Sequence, residues 1–420
     1  MTEISDRQAL PDLQRRRLLQ LMGGLLIAST GLLSYGRLWA ASGGNASQTR
    51  LLVVFLRGAY DAANVLVPYR SADYYRLRPN IAIPAPDAAN PKSAIQLDEQ
   101  WALHPVLRES LYPLWQKDEL AFIPFAGTND TSRSHFETQD RIEAGLDEHA
   151  SLTEQGGFLA RLNAELGQPA SIAFTAQLPV IFTGEVTVPN LALRDAGKAP
   201  FDARQSNLLS ALYKGQPNEE KVKSGLQMRQ EVASMLADEM QAASRGAVSA
   251  KGFELEARHM GKLMRDHYKI GFVDVGGWDT HVNEGSSQGL LANLLGNLSR
   301  GLVSFKEEMG PAAWQETTVL VISEFGRTFR ENGNRGTDHG HGTVYWLMGG
   351  KVKGGRILGD QVKIAESTLF QKRDYVVLNE YRSVIGGLLQ NLYGLDRQQL
   401  GRIFPGASPK NLGAIYGDIS

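Results

Sequence analysis

The chain contains no cysteine in its 420 residues. That excludes disulfides, thiolate metal sites and a cysteine nucleophile within it. Neither sign of charge is in excess, with 44 Lys and Arg against 45 Asp and Glu, and no basic stripe carries interleaved aromatics. Nucleic acid is therefore not expected as a partner. The apolar run Leu18–Leu33 is broken by Gly23, Gly24 and Gly31, and it falls short of the ~20 residues a membrane-spanning helix needs. There is no Gly-x-Gly-x-x-Gly turn between a strand and a helix, and no haem or flavin signature, which disfavours an oxidoreductase. Any metal held by this chain must be held by oxygen and imidazole.

Arg15, Arg16 and Arg17 precede that run, and the small residues Ala40–Gly44 follow it. A charged region, a modest apolar region and small residues make an export signal. Paired arginines ahead of a glycine-containing run resemble a twin-arginine signal, with Gln14 where Ser or Thr is common. Residues 1–44 are accordingly read as the signal. The expected location is the periplasm or cell envelope, with the twin-arginine translocase as the partner during export. Residues 45–420 are long enough for one large α/β domain with insertions.

Thr317–Gly350 organises this domain. Thr317–Ile322 is a β-branched, uncharged run that reads as a buried strand, and it stops at Ser323 and Glu324. Glu324 then sits at a strand's carboxyl end, the rim where ligands bind in open α/β sheets. A glycine-broken loop follows with Asp338, His339 and His341, and Thr343–Met348 reads as another strand. On an extended chain His339 and His341 point the same way and can share one target.

The same pattern recurs elsewhere. Leu51–Leu56 is uniformly apolar, as a strand covered on both faces would be, and it runs into Arg57 and Asp61. Lys269–Val275 ends in Gly276-Gly277-Trp278-Asp279-Thr280-His281, so Asp279 and His281 can converge on one ion. Leu120–Phe125 leads to a polar loop with Thr131, Ser132 and Arg133; there Thr131 and Ser132 are the hydroxyl nucleophile candidates, while Ser134 and Glu137 read as a capping box opening the helix Phe136–Ala144. Ser71–Glu99, rich in Pro, Ala and Asn, reads as a surface excursion. Residues 200–265 read as a helical insertion with a stripe of Met228, Val232, Met235, Leu236 and Met240, and its His259 and His267 as packed or surface residues. The rim thus collects Asp61, Asp279, His281, Glu324, Asp338, His339 and His341. Mixed imidazole and carboxylate donors favour Zn or Mn over Mg or Ca, and seven candidates are enough for one or two ions.

The segments LLVVFLRGAYDAANVLVPY, SRSHFETQD, GGWDTH and ISEFGRTFRENGNRGTDHGHGT resemble a bacterial family of exported proteins, domain of unknown function 1501. That family is similar to the alkaline phosphatase and sulfatase superfamily. The resemblance implies a doubly wound, mostly parallel sheet with helices on both faces. It further implies Asp61 and Glu324 on one metal, and Asp279, His281 and His339 or His341 on the other. The chain departs from the superfamily in placing Glu324-Phe325 where Asp-His or Asp-Asn is usual. The expected function is metal-dependent hydrolysis of a phosphate or sulfate ester, on a small anionic ester or a sulfated or phosphorylated glycan. Attack comes from metal-activated water or from Thr131 or Ser132, with Arg57, Arg133 or Arg327 holding the anion. The alternative is a non-catalytic, metal-containing envelope protein that binds a glycan or protein partner.

Overall fold

Arg50–Leu56 (β1) alternates between two apolar layers. Leu52, Val54 and Leu56 share one core with Met260, Met264, Leu291 and Leu295. Leu51, Val53 and Phe55 share another with Leu159, Leu162, Ile385 and Leu389. Side chains on a strand alternate in direction, so a strand that is apolar at six successive positions must be covered on both sides.

The computed structural model describes residues 48–150, 156–193 and 252–416, together with 214, 219 and 222. The further strands of the main sheet are Leu120–Gly127 (β2), Ser171–Ala173 (β3), Ile270–Val275 (β4), Thr317–Ser323 (β5), Thr343–Gly349 (β6), Arg356–Ile357 (β7) and Asn379–Glu380 (β8). Their order is β7-β2-β6-β5-β1-β4-β3, with β8 also alongside β2. Helices Phe253–Asp266 (α3) and Leu290–Trp314 (α4) cover one face; His135–Ala144 (α1), Phe158–Glu165 (α2), Tyr381–Tyr393 (α5) and Arg397–Ile403 (α6) contribute to the other. The architecture is α/β, as expected, with a mixed and mostly parallel sheet.

Strand direction decides where the chemistry gathers. β1 runs parallel to β4 and to β5, so all three end on one rim. β6 is antiparallel to β5 and to β2, so it starts on that rim and β2 ends there. The segments that follow β1, β2, β4 and β5, and the one that precedes β6, therefore meet along one edge of the sheet.

One expectation changes in detail. Ser71–Glu99 is folded rather than a plain excursion: it holds the helix Ala72–Leu77, buries Ile81, Ile83 and Arg78, and pairs Ile95–Gln96 with Ala102–Leu103 in a separate three-stranded sheet. In the helical stretch over 200–265 the described helix is α3, which packs on α4, and most of the rest of that stretch lies outside the described residues. The methionine stripe and the signal at 1–44 lie outside the described residues. Among the described residues no helix is long and apolar enough to cross a membrane. Leu52 is fully buried in the first core, so Leu52→Ala is expected to cost about 2–5 kcal/mol. The check is a lower urea midpoint at unchanged slope.

Candidate metal centre

His135, the first residue of α1, directs its Nε2 to within 2.9 Å of His339 Nε2. His281 Nε2 lies 3.1 Å from the same atom. Asp279 Oδ1 stands 2.9 Å from His281 Nε2, 3.4 Å from His339 Nε2 and 3.7 Å from His135 Nε2. Donor atoms of His135, Asp279 and His281 thus crowd His339 Nε2 from the segments after β2 and β4. Donors around a tetrahedral ion with Zn–N bonds of ~2.0–2.1 Å lie about 3.3 Å apart, a spacing these separations bracket. Among the described residues the donor atoms of His135, Asp279 and His339 all lie within 4.8 Å of one another, a group that could hold a metal ion.

The atoms behind the rings fix what the front atoms are. His135 Nδ1 is 2.7 Å from Glu324 Oε1, and Glu324 is ionised. Burial raises its carboxyl, but hydrogen bonds from His135, Gln139 and the Gly58 N–H outweigh that and hold it below the ordinary range. His339 Nδ1 is 3.0 Å from the Arg133 carbonyl oxygen. A carboxylate and a carbonyl only accept, so both Nδ1 atoms carry the proton and both Nε2 atoms present lone pairs. His281 Nε2 stands between the Asp279 carboxylate at 2.9 Å and Arg327 Nη1 at 3.3 Å. The lone pairs of His135 and His339 therefore face each other, with His281 Nε2 and the Asp279 carboxylate beside them. Burial and the neighbouring His135 hold the His339 imidazole below its ordinary value.

Rim loops are pressed together by backbone. Gly58 has a φ of 117°, donates its N–H to Glu324 Oε1 at 2.8 Å, and leaves no room for a Cβ, which would sit 2.7 Å from Asp279 N. Arg327 is stitched through the centre. It donates to the carbonyls of Ala59 and Gly58 at 2.6 and 3.1 Å, to that of Thr337 at 3.2 Å, and to Asp279 Oδ1. Burial raises the Asp279 carboxyl, but the Arg327 guanidinium outweighs this and holds it low.

Residues 48–404 match the family described as "Protein of unknown function (DUF1501)". The chain belongs to this family. No curated protein matches it.

Within this DUF1501 protein the structure brings together Asp279, His281 and His339 of the expected set, and it places Glu324 and Asp338 behind the rings. Asp338 Oδ1 is 3.4 Å from His281 Nδ1 and accepts from Asn332 at 3.0 Å. His341 stands apart: the chain bends at that residue, which breaks the expected alternation, and its ring packs on Phe370 at 4.7 Å. Burial lowers its pKa to about 4. Asp61 is 1 % exposed and gives both oxygens to Arg78, at 2.5 and 2.9 Å. Of the three expected anion-holding arginines, Arg57 is taken up by Asp274, Gln139 and Glu143, Arg133 by Asp374 and Gln371, and Arg327 by the rim itself. Thr131 and Ser132 are exposed, and Ser132 is bound into its own loop by Asp130 Oδ1 and the Ser134 N–H. Ser134 is the N-cap as expected but makes no side-chain cap bond; Glu137 pairs with Arg141 instead.

His135 is the residue that pattern reading missed. Its signal was a histidine in the first turn of a helix after a strand's carboxyl end. The capping-box reading absorbed that signal. Asp61 and Arg78 are both buried, so Arg78→Ala strands a carboxylate. The expected loss is about 3–5 kcal/mol in urea unfolding, and a loss under about 1 kcal/mol would show that water reaches the pair.

Proposed function

We propose that this protein is an exported, metal-dependent hydrolase of phosphate or sulfate esters, with one divalent ion held by His135, His281 and His339 and faced by Asp279. The observation that carries the reading is the meeting of the His135 and His339 lone pairs, with His281 Nε2 and Asp279 Oδ1 also within 3.4 Å of His339 Nε2. Nitrogen donors with a carboxylate favour Zn or Mn. Such an ion supplies Lewis acidity and lowers the pKa of a bound water.

The chain's own residues set the rest. Arg327 already neutralises Asp279, which leaves the three imidazoles as the principal donors and one coordination position open, the mark of a catalytic rather than a structural site. Asp279 and His281 are 46 % and 39 % exposed, so solvent reaches that position. Thr131 and Ser132 are not bonded into the cluster, which favours water as the nucleophile. The twin-arginine-like residues Arg15 and Arg16 support export in the folded state. Parallel strands with acids and imidazoles at their carboxyl ends support kinship with the alkaline phosphatase and sulfatase superfamily.

A second reading draws on the arginines. Because Arg57, Arg133 and Arg327 all have carboxylate partners, a non-catalytic member binding a glycan or envelope protein through its metal rim fits as well. Metal analysis and an ester panel separate the two. Purified wild type is expected to carry about one equivalent of metal and, with added Zn, Mn, Mg or Ca, to turn over p-nitrophenyl phosphate or sulfate until a chelator is added. Glu324→Gln, which loosens His135, is expected to weaken metal binding ~10–100-fold, and His135→Ala or His339→Ala by more. Folded wild type without affinity for any of these ions overturns the metal centre; metal without turnover selects the binding reading.

A further inference from the structure

His339 is gripped from two sides by one buried oxygen atom. Asp374 is fully buried. Its Oδ2 accepts from Arg133 Nη2 at 2.9 Å and from Arg373 Nη1 at 3.0 Å. Each arginine then touches His339 by a different route. The backbone oxygen of Arg133 accepts from His339 Nδ1 at 3.0 Å. Arg373 Nη2 donates to the His339 carbonyl at 2.9 Å.

Backbone conformation shows that this grip does work on the chain. Arg133 sits at φ 55°, a left-handed conformation that disfavours any side chain with a Cβ and that surroundings must impose. The segment gripping it is strained in the same sense: Gln371 and Lys372 have φ of 54° and 55°, the Arg373 N–H donates to the Phe370 carbonyl at 3.0 Å, and positive φ at both central positions makes a type I′ turn, ordinarily the province of Gly and Asn. Gln371 Oε1 takes the same Arg133 nitrogen at 3.0 Å. Two unfavourable turns therefore hold each other, and the outcome is a carbonyl aimed at His339 Nδ1.

We propose that Asp374 is the positioning residue of the metal centre: through Arg133 and Arg373 it fixes the tautomer and the place of His339. This rests on the metal reading above. It replaces the anion-holding role for Arg133 with a backbone one, in which the side chain serves only to keep a strained carbonyl in place. Partners behind a metal-ligating histidine set its tautomer, orientation and basicity, and removing one costs ~10–100-fold in affinity.

The test is chelator competition for Zn(II) on the full chain, with thermal unfolding run alongside to confirm that each variant is folded. Asp374→Asn is expected to raise the Zn(II) dissociation constant ~10–100-fold. Arg133→Ala is expected to fall in the same range, because Ala relaxes out of the left-handed region and takes its carbonyl with it. Arg133→Gly is the informative variant: glycine adopts φ near 55° without penalty, so affinity should recover by several-fold over Ala although the guanidinium is absent from both. Equal affinity in Arg133→Gly and Arg133→Ala, or wild-type affinity in folded Asp374→Asn, overturns the proposal while wild-type Zn(II) binding leaves the metal centre standing. Wild type that binds no Zn(II) at any concentration removes both.

Discussion

His339 Nε2 sits within about a hydrogen-bond length of both His135 Nε2 and His281 Nε2, and nothing in their own chemistry favours that. With both Nδ1 protons committed to Glu324 and Arg133, neutral rings meet lone pair to lone pair. The arrangement exists because the backbone imposes it. Parallel β1, β4 and β5 end together, antiparallel β6 begins beside them, and Arg327 ties the segment after β1 through its carbonyls, the segment after β4 through Asp279 and the histidine loop through the Thr337 carbonyl. A cation would relieve repulsion imposed in this way, which is the physical support for the proposed metal centre.

The rim also keeps its charges in order by pairing them behind the centre. Asp61 and Arg78 neutralise each other out of reach of water. Beside them Glu284, fully buried, accepts from the hydroxyls of Thr280 and Thr337 at 2.8 and 3.0 Å. Burial and the nearby Asp61 push its carboxyl well above the ordinary range. Arg57, Gln139 and Glu324 form a chain in which the Gln139 amide accepts from Arg57 at 2.8 Å and donates to Glu324 at 2.8 Å, so its orientation is set from both ends. Buried polar groups tolerate this only when every member is satisfied. Acids that resemble ligands in the sequence therefore divide into one that faces the rings, Asp279, and others that orient or balance them.

Much of the frame was legible in the residues. Leu51–Leu56 and Thr317–Ile322 announced buried strands by unbroken apolarity, and both are buried and paired on each side. Asp279, His281 and His339 followed from their positions just past or just before such strands, and they meet. Where local reading failed, a longer-range contact intervened. His341 should have followed His339 on an extended chain, but Gly340 and Gly342 let the loop press against Arg327 and Tyr375, and the resulting bend turns the second ring to Phe370. Asp61 looked like a ligand because the residue that claims it, Arg78, lies in a stretch that reads as loop.

Composition and pattern by themselves determined the class of donor, the α/β layering and the rim on which those donors gather, because these depend on residue type and on periodicities of a few residues. Only the tertiary structure decided which donors face the centre. Whether a carboxylate binds an ion or an arginine depends on which group stands within about 3 Å of it, and for Asp61, Glu324 and His135 that group arrives from another part of the chain. Pairings of that kind are made by strand direction and loop packing, which leave no local mark in the sequence.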